Sequence, residues 1–528
     1  MVLILHKYIF RELLKVFIPT VVALTLILSL GSILRPMQEY GVGPRQAVHI
    51  MGYFLPITLT FVLPIAALFA GALVYGRLAS DNELDACKAS GISFLRLAYP
   101  GLALALVVAG ANLILSFHVM PIFVHLAEKS LKADAKQILF RNIQRRGYYE
   151  LDRYKIYADY ASLEDNLLAG VVVVGVKNNR IEEITAVDTA KVNFNPRGDS
   201  YEVQIVAHNP YQLGFEGQRE GSAERLLFTK EVGSLLGDDI KFKRIDQMKK
   251  IQADLTQFGP VDELARQTCA QFVTELLAQD ITKKTAGEPN GFYELLGVPS
   301  SVRFSAGQCA LADEREVELS GGVVVREYDS DTKQLLRALN CKKVSLHVEG
   351  DAMAPTLTMN IDHAREESTG SLRMWYVIRG LIPPAAVTDV FKTGNILQDV
   401  CPPVLSSALQ NGPSPKLEQL NGALQRKIQK TLVEIRAEIH SRLAFGIGCV
   451  PMILIGIALG VVKRGGHMLS AFAASCVPAA VLIVCIISGK NITENLGSQG
   501  ISGMLLMWAG LVVLTVLAIV TYRKLLKN

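Results

Sequence analysis

Hydrophobic residues in this chain are clustered into six long runs, three before residue 120 and three after residue 440. A helix needs about 20 mostly apolar residues to cross a bilayer. Six segments reach that length: Val16–Leu34, Met51–Tyr75, Phe94–His118, Leu443–Val462, Met468–Ser488 and Ile501–Tyr522. The pattern predicts an α-helical polytopic membrane protein with six transmembrane helices, arranged three plus three around a large central insertion.

Within the insertion the pattern changes to an alternation with period two, starting at Arg141. Short strand-like runs separated by Asn- and Gly-rich turns are typical of antiparallel sandwiches and jelly rolls. Residues 135–250 are therefore predicted to form a β-jelly-roll-like domain. Residues 251–413 are predicted to be an additional segment, first helical and then β, in which Ile382–Pro415 is a loop. A periodic helix over residues 414–440 leads into the last three spans, within residues 441–528.

A short polar stretch, YGRLASDNELDACKASGISF, separates the second and third apolar runs. Ser80 and Glu83 have the S-x-x-E spacing of a capping box, which predicts a helix of about ten residues. Gly91 is a suitable stop for this helix. With no core of its own, such a helix must pack on the spans or on another protein.

The acidic residues of this helix have two interpretations. In the simpler one, which residue types alone favour, Glu83 only satisfies the start of its own helix. In the other, Glu83 and its neighbours Asp81 and Asp85 form a docking surface for a partner protein.

Composition and charge agree with a membrane protein. The chain has 528 residues, of which 50% are hydrophobic and 20% charged, and its net charge of +5 gives no reason to invoke nucleic acid. Loops on one side of the spans carry eleven Lys and Arg residues, and those on the other side carry three: Arg35, Arg45 and Lys490. Because basic loops stay in the cytoplasm, both termini are predicted to be cytoplasmic and the insertion extracytoplasmic. The first run is predicted to be an anchor rather than a removable signal peptide.

The sequence contains no pattern of a catalytic, cofactor or metal site. It has no H-E-x-x-H, no C-x-x-C and no G-x-x-x-x-G-K-[ST], so it has no P-loop of its own. Cys269, Cys309, Cys341 and Cys401 fall in the external part, where one or two disulfides are possible. Spacing does not give their pairing.

Four motifs occur in order along the chain: YIFRELLKVF, SDNELDACKASGIS, EIHSRLAFGIGCVPMILIGIALGVVKRGG and ENLGSQGIS. Together with the order of spans and insertion, they resemble the lipopolysaccharide-export permease family (LptF/LptG, also called YjgP/YjgQ). The resemblance covers roughly residues 1–240 and 415–528. Residues from about 250 to 410 are an insertion or second subdomain whose role the resemblance does not cover.

The resemblance implies a permease subunit of the bacterial inner membrane, not an enzyme. Such permeases pair with a second permease subunit and bind a separate cytoplasmic ABC ATPase. They pass lipopolysaccharide to a periplasmic lipid-bridge protein, with a jelly roll in the periplasm.

The resemblance also implies roles for individual residues. Within residues 1–122, the segment 80–91 matches the coupling helix, and Glu83 matches its ATPase-contacting acid, with Asp81 and Asp85 beside it. Arg35, and Arg45 on the same side, fall where basic residues contact lipid phosphates. For Arg35 the alternative is an interfacial anchor that binds no lipid.

Two rival functions remain at this point. One is a permease of the same architecture that moves a different amphipathic lipid. The other is a non-transporting membrane scaffold whose external β domain binds envelope proteins, and the acidic helix at residues 80–91 argues against it.

Overall fold

Within the described part of the chain, six helices are long and apolar enough to cross a membrane. The computed structural model describes residues 2–527 except 41–43, 134, 152–153, 178–179, 198–199, 215–218, 223–224, 233–238, 287–291, 299, 313–314, 331, 352–353, 368–369, 391–395, 401, 410–411, 463–467 and 496–499. Some side chains within the described helices and strands, including those of residues 32–47, are also outside the description.

The chain divides into two compact units: a first unit, Met1–Met248 with Val433–Asn528, and a second unit, Lys249–Leu432.

The first unit begins with the helices of the amino-terminal spans. They are α1 (Val2–Tyr40), α2 (Pro44–Ser80), the short α3 (Glu83–Ala89) and α4 (Phe94–Ile114), then a π-helical turn (Leu115–Val119), α5 (Met120–Ala133) and α6 (Ala135–Arg146). Prolines at positions 56 and 64 lie inside α2. Helix α6 continues beyond Arg141, so the first strand begins later than the sequence pattern predicts.

An eight-stranded antiparallel sheet follows in the first unit. Its strands are β1 (Tyr148–Leu151), β2 (Tyr154–Ser162), β3 (Leu167–Lys177), β4 (Arg180–Arg197), β5 (Ser200–His208), β6 (Tyr211–Gly214), β7 (Arg219–Ser222) and β8 (Arg225–Val232). The order is β1-β2-β3-β4-β5-β8, and the β6–β7 hairpin pairs with the start of β4. Phe140 on α6 is buried with Ile156, Val171 and Val192 on the sheet. Helix α6 therefore covers one face of this sheet.

The second unit contains helices and a closed sheet. Its elements are α7 (Ile245–Ala253, which begins in the first unit), α8 (Gly259–Ala286), β9 (Tyr293–Gly297), β10 (Ser300–Ser305), β11 (Gln308–Leu311), β12 (Glu316–Asp329), β13 (Leu335–Asp351), β14 (Ala354–Glu366), β15 (Leu372–Ile382), α9 (Ala385–Thr388), α10 (Ile396–Asp399) and α11 (Pro402–Ala408). The strand order β10-β9-β15-β14-β13-β12-β11 is closed by a β10–β12 pairing. Three short helices thus lie in the segment Ile382–Pro415, which the sequence predicts to be a loop.

Helix α8 is buried on all sides along its middle and contains a buried acid, Glu275. The Glu275 carboxylate accepts hydrogen bonds from the backbone N–H of Ser414, at 3.0 Å, and from its hydroxyl. The Ser414 hydroxyl oxygen also accepts a bond from the Leu417 N–H at 3.2 Å. Ser414 therefore caps the following helix, whose first residue is Pro415, a residue favoured at that position.

The chain ends with three long helices: α12 (Pro415–Val462), α13 (Met468–Asn495) and α14 (Gly500–Lys527). Together with α1, α2 and α4 they supply the six apolar spans. The predicted fold class is therefore confirmed: a polytopic helical membrane protein with an antiparallel β part inserted between the third and fourth spans.

Helices α2 and α12 approach each other closely through small residues. A Cβ atom added to Gly456 would lie 2.9 Å from the Leu68 carbonyl oxygen, and one added to Gly76 would lie 3.5 Å from the Gly460 carbonyl oxygen. Small residues at i and i+4 allow membrane helices to pack backbone against backbone. This contact joins the amino-terminal spans to the carboxy-terminal ones within the first unit.

Candidate functional site

Helix α3 lies in the polar stretch between the second and third apolar runs. It begins at Glu83, and its cap is Asn82, whose φ of 57° lies in the left-handed region that Asn tolerates. The Asn82 side chain makes no capping hydrogen bond to the start of this helix. Ser80 instead ends α2, and its hydroxyl donates to the Gly76 carbonyl at 3.0 Å. The predicted capping box is wrong, because Ser80 completes the preceding helix.

The carboxy-terminal end of α3 is closed by the predicted glycine. Gly91 has a φ of +79°, its N–H donates to the Lys88 carbonyl at 2.9 Å, and the Ile92 N–H donates to the Cys87 carbonyl at 3.1 Å. These two bonds form a Schellman motif, which favours glycine at the left-handed position. The predicted stop at Gly91 is confirmed.

One side of α3 is fixed in the core of the first unit. Leu84 is 2% exposed and belongs to a buried cluster with Ile9, Leu13, Phe94 and Val461. These residues come from α1, α4 and α12, and the cluster also includes residues of α2. Helix α3 is thus attached to spans from both halves of the chain through a single buried leucine.

The three acidic residues predicted as a docking surface share this short segment. Asp81 and Glu83 are exposed, and Asp85 is half-buried. The Tyr8 hydroxyl of α1 donates to the Glu83 carboxylate at 3.5 Å. Glu83 therefore has an exposed carboxylate and takes no part in the predicted capping box with Ser80, and its docking role stays a prediction.

The two residues predicted to bind lipid lie on the first two helices. Arg35 is in α1 and Arg45 is in α2. Both side chains lie outside the described part of the structure.

A cavity that the sequence did not indicate lies among α2, α4, α12 and α13 in the first unit. Its volume is about 680 Å³. Its apolar wall is formed by Phe54, Ile57, Phe61, Phe445, Ile483, Ile486 and Ile487. Its polar lining includes Asn112, Ser116, Asp239, Lys241, Glu434, Glu438, Arg442, Lys490, Asn491 and Glu494. The cavity is therefore amphiphilic, with one apolar and one charged part.

A buried carboxylate, Glu438, organises the charged part of the cavity. Its Oε1 accepts a bond from Arg442 Nε at 2.8 Å, and its Oε2 accepts one from Lys490 Nζ at 2.5 Å. Lys490 Nζ also lies 3.8 Å from the Glu494 carboxylate. Buried charges persist in proteins when they are paired and hydrogen-bonded in this way, and ionisable residues inside spans are often functional.

Arg442 connects α12 to two other parts of the first unit. Its Nη1 donates to the carbonyls of Ser116, at 2.9 Å, and Lys243, at 3.3 Å, and its Nη2 donates to the Lys241 carbonyl at 2.8 Å. Ser116 lies in the π-helical turn after α4, and turns of this kind often occur at functional sites. Lys241 and Lys243 lie in the segment that follows the first sheet. Arg442 thus joins a span, a π turn and this segment.

Asp239 adds a negative charge to the cavity from the segment that follows the first sheet. Burial raises the pKa of the Asp239 carboxyl. Hydrogen bonds from the Lys241 ammonium, at 2.7 Å, and backbone N–H, at 3.1 Å, outweigh this effect and hold the pKa below its usual range. Asp239 is therefore ionised at neutral pH.

The second unit contains the cysteines for which the sequence left disulfides possible. No disulfide joins Cys269, Cys309 and Cys341, and Cys401 lies outside the described residues. Burial raises the pKa of the Cys341 thiol to about 11, which keeps it protonated at neutral pH. Over the described part of the chain, no group of three or more His, Cys, Asp or Glu side chains is placed to hold a metal ion.

Sequence reasoning missed the cavity although part of the signal was present. Glu438 and Arg442 are four residues apart, the spacing of neighbours on one helix face, at the start of an apolar run. Lys490 lies just after another apolar run, and its charge entered the sequence interpretation only through the comparison of basic residues on the two sides of the spans. Charges at such positions are a recognised indication of a functional site in membrane proteins.

Six apolar helices, an amphiphilic cavity among them and an inserted β part are the features of a polytopic membrane permease. The family model of the lipopolysaccharide export system permease LptF/LptG matches residues 7–249 and 322–524. The chain therefore belongs to the LptF/LptG permease family. A search of curated proteins found no match.

The matched ranges extend further than the resemblance in the sequence did. They include residues 322–414, so the internal part outside the family model is 250–321 rather than about 250–410. This part contains α8 and strands β9 to β11.

Proposed function

We propose that this chain is a permease subunit of an ATP-driven exporter that extracts lipopolysaccharide from the inner membrane. In this proposal it works with a second permease subunit and a separate cytoplasmic ABC ATPase, and it passes lipid to a periplasmic bridge protein. Membership of the LptF/LptG family is the observation that carries the proposal. The exposed acids of α3 and the amphiphilic cavity supply two of the parts that such a machine needs.

Helix α3 is the proposed ATPase contact, through Glu83, Asp81 and Asp85. The exposed carboxylates of Asp81, just before the helix, and Glu83 offer a charged surface with the half-buried Asp85, and buried Leu84 ties α3 to the cluster shared with α1, α2, α4 and α12. Packed interiors transmit displacement because they are dense and hardly compressible. A push on α3 is therefore passed to spans of both halves.

The cavity supports the lipid part of the proposal. Its phenylalanine and isoleucine side chains suit acyl chains, and its charged part suits a headgroup. Moving acyl chains out of a membrane costs about 0.8 kcal/mol per CH₂ exposed to water. This cost explains why such a step needs both ATP and a covered path.

The charge bias of the loops supports the proposed orientation. An excess of eleven basic residues on one side over three on the other favours a cytoplasmic position for α3 and both termini. The β part is then periplasmic. Arg35 and Arg45 fall on the periplasmic side in this orientation, where they are proposed to contact lipid phosphates.

Charge reversal at Glu83 tests the coupling directly. Glu83→Arg places a cation in the proposed ATPase contact, and like charges across an interface cost several kcal/mol. We expect wild-type protein, purified in mild detergent, to bring down an ABC ATPase with ATP-hydrolysing activity. With Glu83→Arg, the co-purified activity should fall at least about tenfold, since 1.4 kcal/mol already corresponds to that factor.

A matched variant separates docking from a general effect of charge. Glu164→Arg changes an exposed acid in the turn between β2 and β3, and it should leave co-purified ATPase activity unchanged. If no ATPase accompanies the wild type, the proposed coupling is refuted and the scaffold alternative takes its place. If an ATPase accompanies the wild type and both variants equally, the docking role of Glu83 is refuted.

A further inference from the structure

In the charged part of the cavity, the carboxylate of Glu438 lies between two cationic side chains, Arg442 and Lys490. Both carboxylate oxygens are engaged, one by Arg442 at 2.8 Å and the other by Lys490 at 2.5 Å. Glu438 is 6% exposed. A carboxylate and a phosphate monoester both offer oxygen acceptors to Arg and Lys donors. The pair of cations is therefore suited to an anionic group.

The two cations differ in what else they contact. Arg442 is 5% exposed, and besides Glu438 it donates to three backbone carbonyls. Releasing Arg442 would leave these buried groups without a donor, which is costly. The Lys490 side chain is 27% exposed in the cavity, and its ion pairs are with Glu438 and, at 3.8 Å, Glu494. Lys490 is therefore the cation that can exchange its partner at low cost.

We propose that Lys490 is a headgroup contact of this cavity and that Glu438 is a built-in competitor for it. A phosphate of an entering lipid binds the Lys490 ammonium in place of Glu438, and Glu438 keeps its bond to Arg442. This inference rests on the proposed function and deepens it, since it assigns the regulation of the cavity to a single carboxylate.

The exchange conserves one ion pair of Lys490 and leaves Glu438 with one of its two cations, while Glu438 Oε2 gives up its donor and the phosphate adds its own negative charge to the cavity. The Lys490–Glu438 contact breaks, the Lys490–phosphate contact forms, and Glu438 remains paired with Arg442. A buried carboxylate is strongly destabilising only when it has no partner. Competition weakens phosphate binding, so the lipid is held loosely enough to leave the cavity when the transporter closes.

Arg442 acts here as a positioning residue and not as a lipid ligand. Its carbonyl contacts hold Glu438 in place through the Nε bond, and they also fix the π turn at Ser116 and the segment at Lys241 and Lys243. These contacts of Arg442 thus hold the Glu438 carboxylate next to Lys490.

Glu438→Gln removes the competing charge and keeps a side-chain oxygen that can accept from Arg442. We expect the full-length chain, purified with its co-purifying subunits, to bind bis-phosphorylated lipid A about tenfold more tightly after this change, because a close charge pair no longer has to be broken. Lys490→Gln should weaken binding at least about tenfold. The dissociation constant in detergent micelles is the quantity to measure.

The double variant gives the sharpest result. When Lys490→Gln is already present, Glu438→Gln should no longer increase affinity, because Glu438 acts only through Lys490; such non-additivity is the sign of direct coupling.

Dephosphorylated lipid A should bind all variants equally. A titration with inorganic phosphate distinguishes a lipid headgroup, which needs acyl chains for tight binding, from a site for the free ion. Glu150→Gln, which removes the partner of Lys155 at 2.9 Å outside the cavity lining, is the matched control.

Specific results would overturn the inference. Equal affinity of wild type and Glu438→Gln, with both proteins showing the same thermal unfolding midpoint, removes the competitor role. A gain that persists in the double variant assigns the effect to another cation. Equally tight binding of inorganic phosphate contradicts a lipid site. If the wild type binds no lipid A, the proposed function fails and this inference fails with it, whereas binding that is insensitive to both variants refutes only the inference.

Discussion

Replacing Arg442 by alanine is expected to lower the free energy of unfolding of the first unit by about 3–5 kcal/mol, because three backbone carbonyls lose their donor at about 1–3 kcal/mol for each buried group left unsatisfied. The substitution deprives Glu438 of its 2.8 Å contact and removes the donors to the carbonyls of Ser116, Lys241 and Lys243. Thermal unfolding in detergent, followed by the loss of monodisperse protein, measures the effect.

Two comparisons make this result specific. Arg442→Lys keeps the charge but not the fork of donors, so its effect should be intermediate. Arg266→Ala breaks a second i,i+4 pair, with Asp262 at 2.8 Å, in which the side chains are 45% and 25% exposed. Surface pairs contribute about 0–1 kcal/mol, so this variant should be nearly as stable as the wild type. Similar losses for Arg442→Ala and Arg266→Ala would contradict the role assigned to the cavity network.

Replacing Gly460 by leucine is expected to separate α2 from α12 and to cost about 3 kcal/mol, the upper part of the range for overpacked sites. A Cβ atom at this position would collide with the carbonyl oxygen of Ala72 and lie 3.1 Å from its carbonyl carbon. Because the obstacle is backbone, no side chain can turn away to relieve it. The unfolding temperature in detergent should fall clearly.

Gly422→Leu is the matched control for this substitution. Gly422 lies in the same helix α12, and a Cβ atom there would meet nothing within 4 Å. Removing glycine from a helix interior stabilises it by up to about 1 kcal/mol, so this variant should be unchanged or slightly more stable. If Gly460→Leu were as stable as Gly422→Leu, the close α2–α12 contact would be wrong.

The spans and the position of α3 could be predicted because they depend on local signals. A membrane helix satisfies its backbone hydrogen bonds within itself, so the length of an apolar run is sufficient to locate it. The stop at Gly91 was also local, since it depends on a left-handed residue after the helix. The start of α3 was missed because the S-x-x-E spacing does not show that Ser80 still belongs to α2.

The cavity could not be predicted because its parts are far apart in the sequence. The bonds from Arg442 to Ser116 and Lys241 join residues separated by 326 and 201 positions. The closed sheet of the second unit depends in the same way on the pairing of β9 with β15, which joins Leu296 to Ile382. No local sequence pattern specifies such contacts. The spacing of Glu438 and Arg442 indicates only an ion pair within one helix.

In the proposed function, ATP hydrolysis by an ATPase docked on α3 drives lipid out of the membrane through this permease. The most direct measurement is ATP-dependent release of lipopolysaccharide from proteoliposomes that contain the purified permease–ATPase complex, with a soluble bridge protein as acceptor. We predict release that requires ATP and is retained by Glu164→Arg. After Glu83→Arg it should be lost, although lipid A binding persists. Release without ATP, or full release after Glu83→Arg, would contradict the claim.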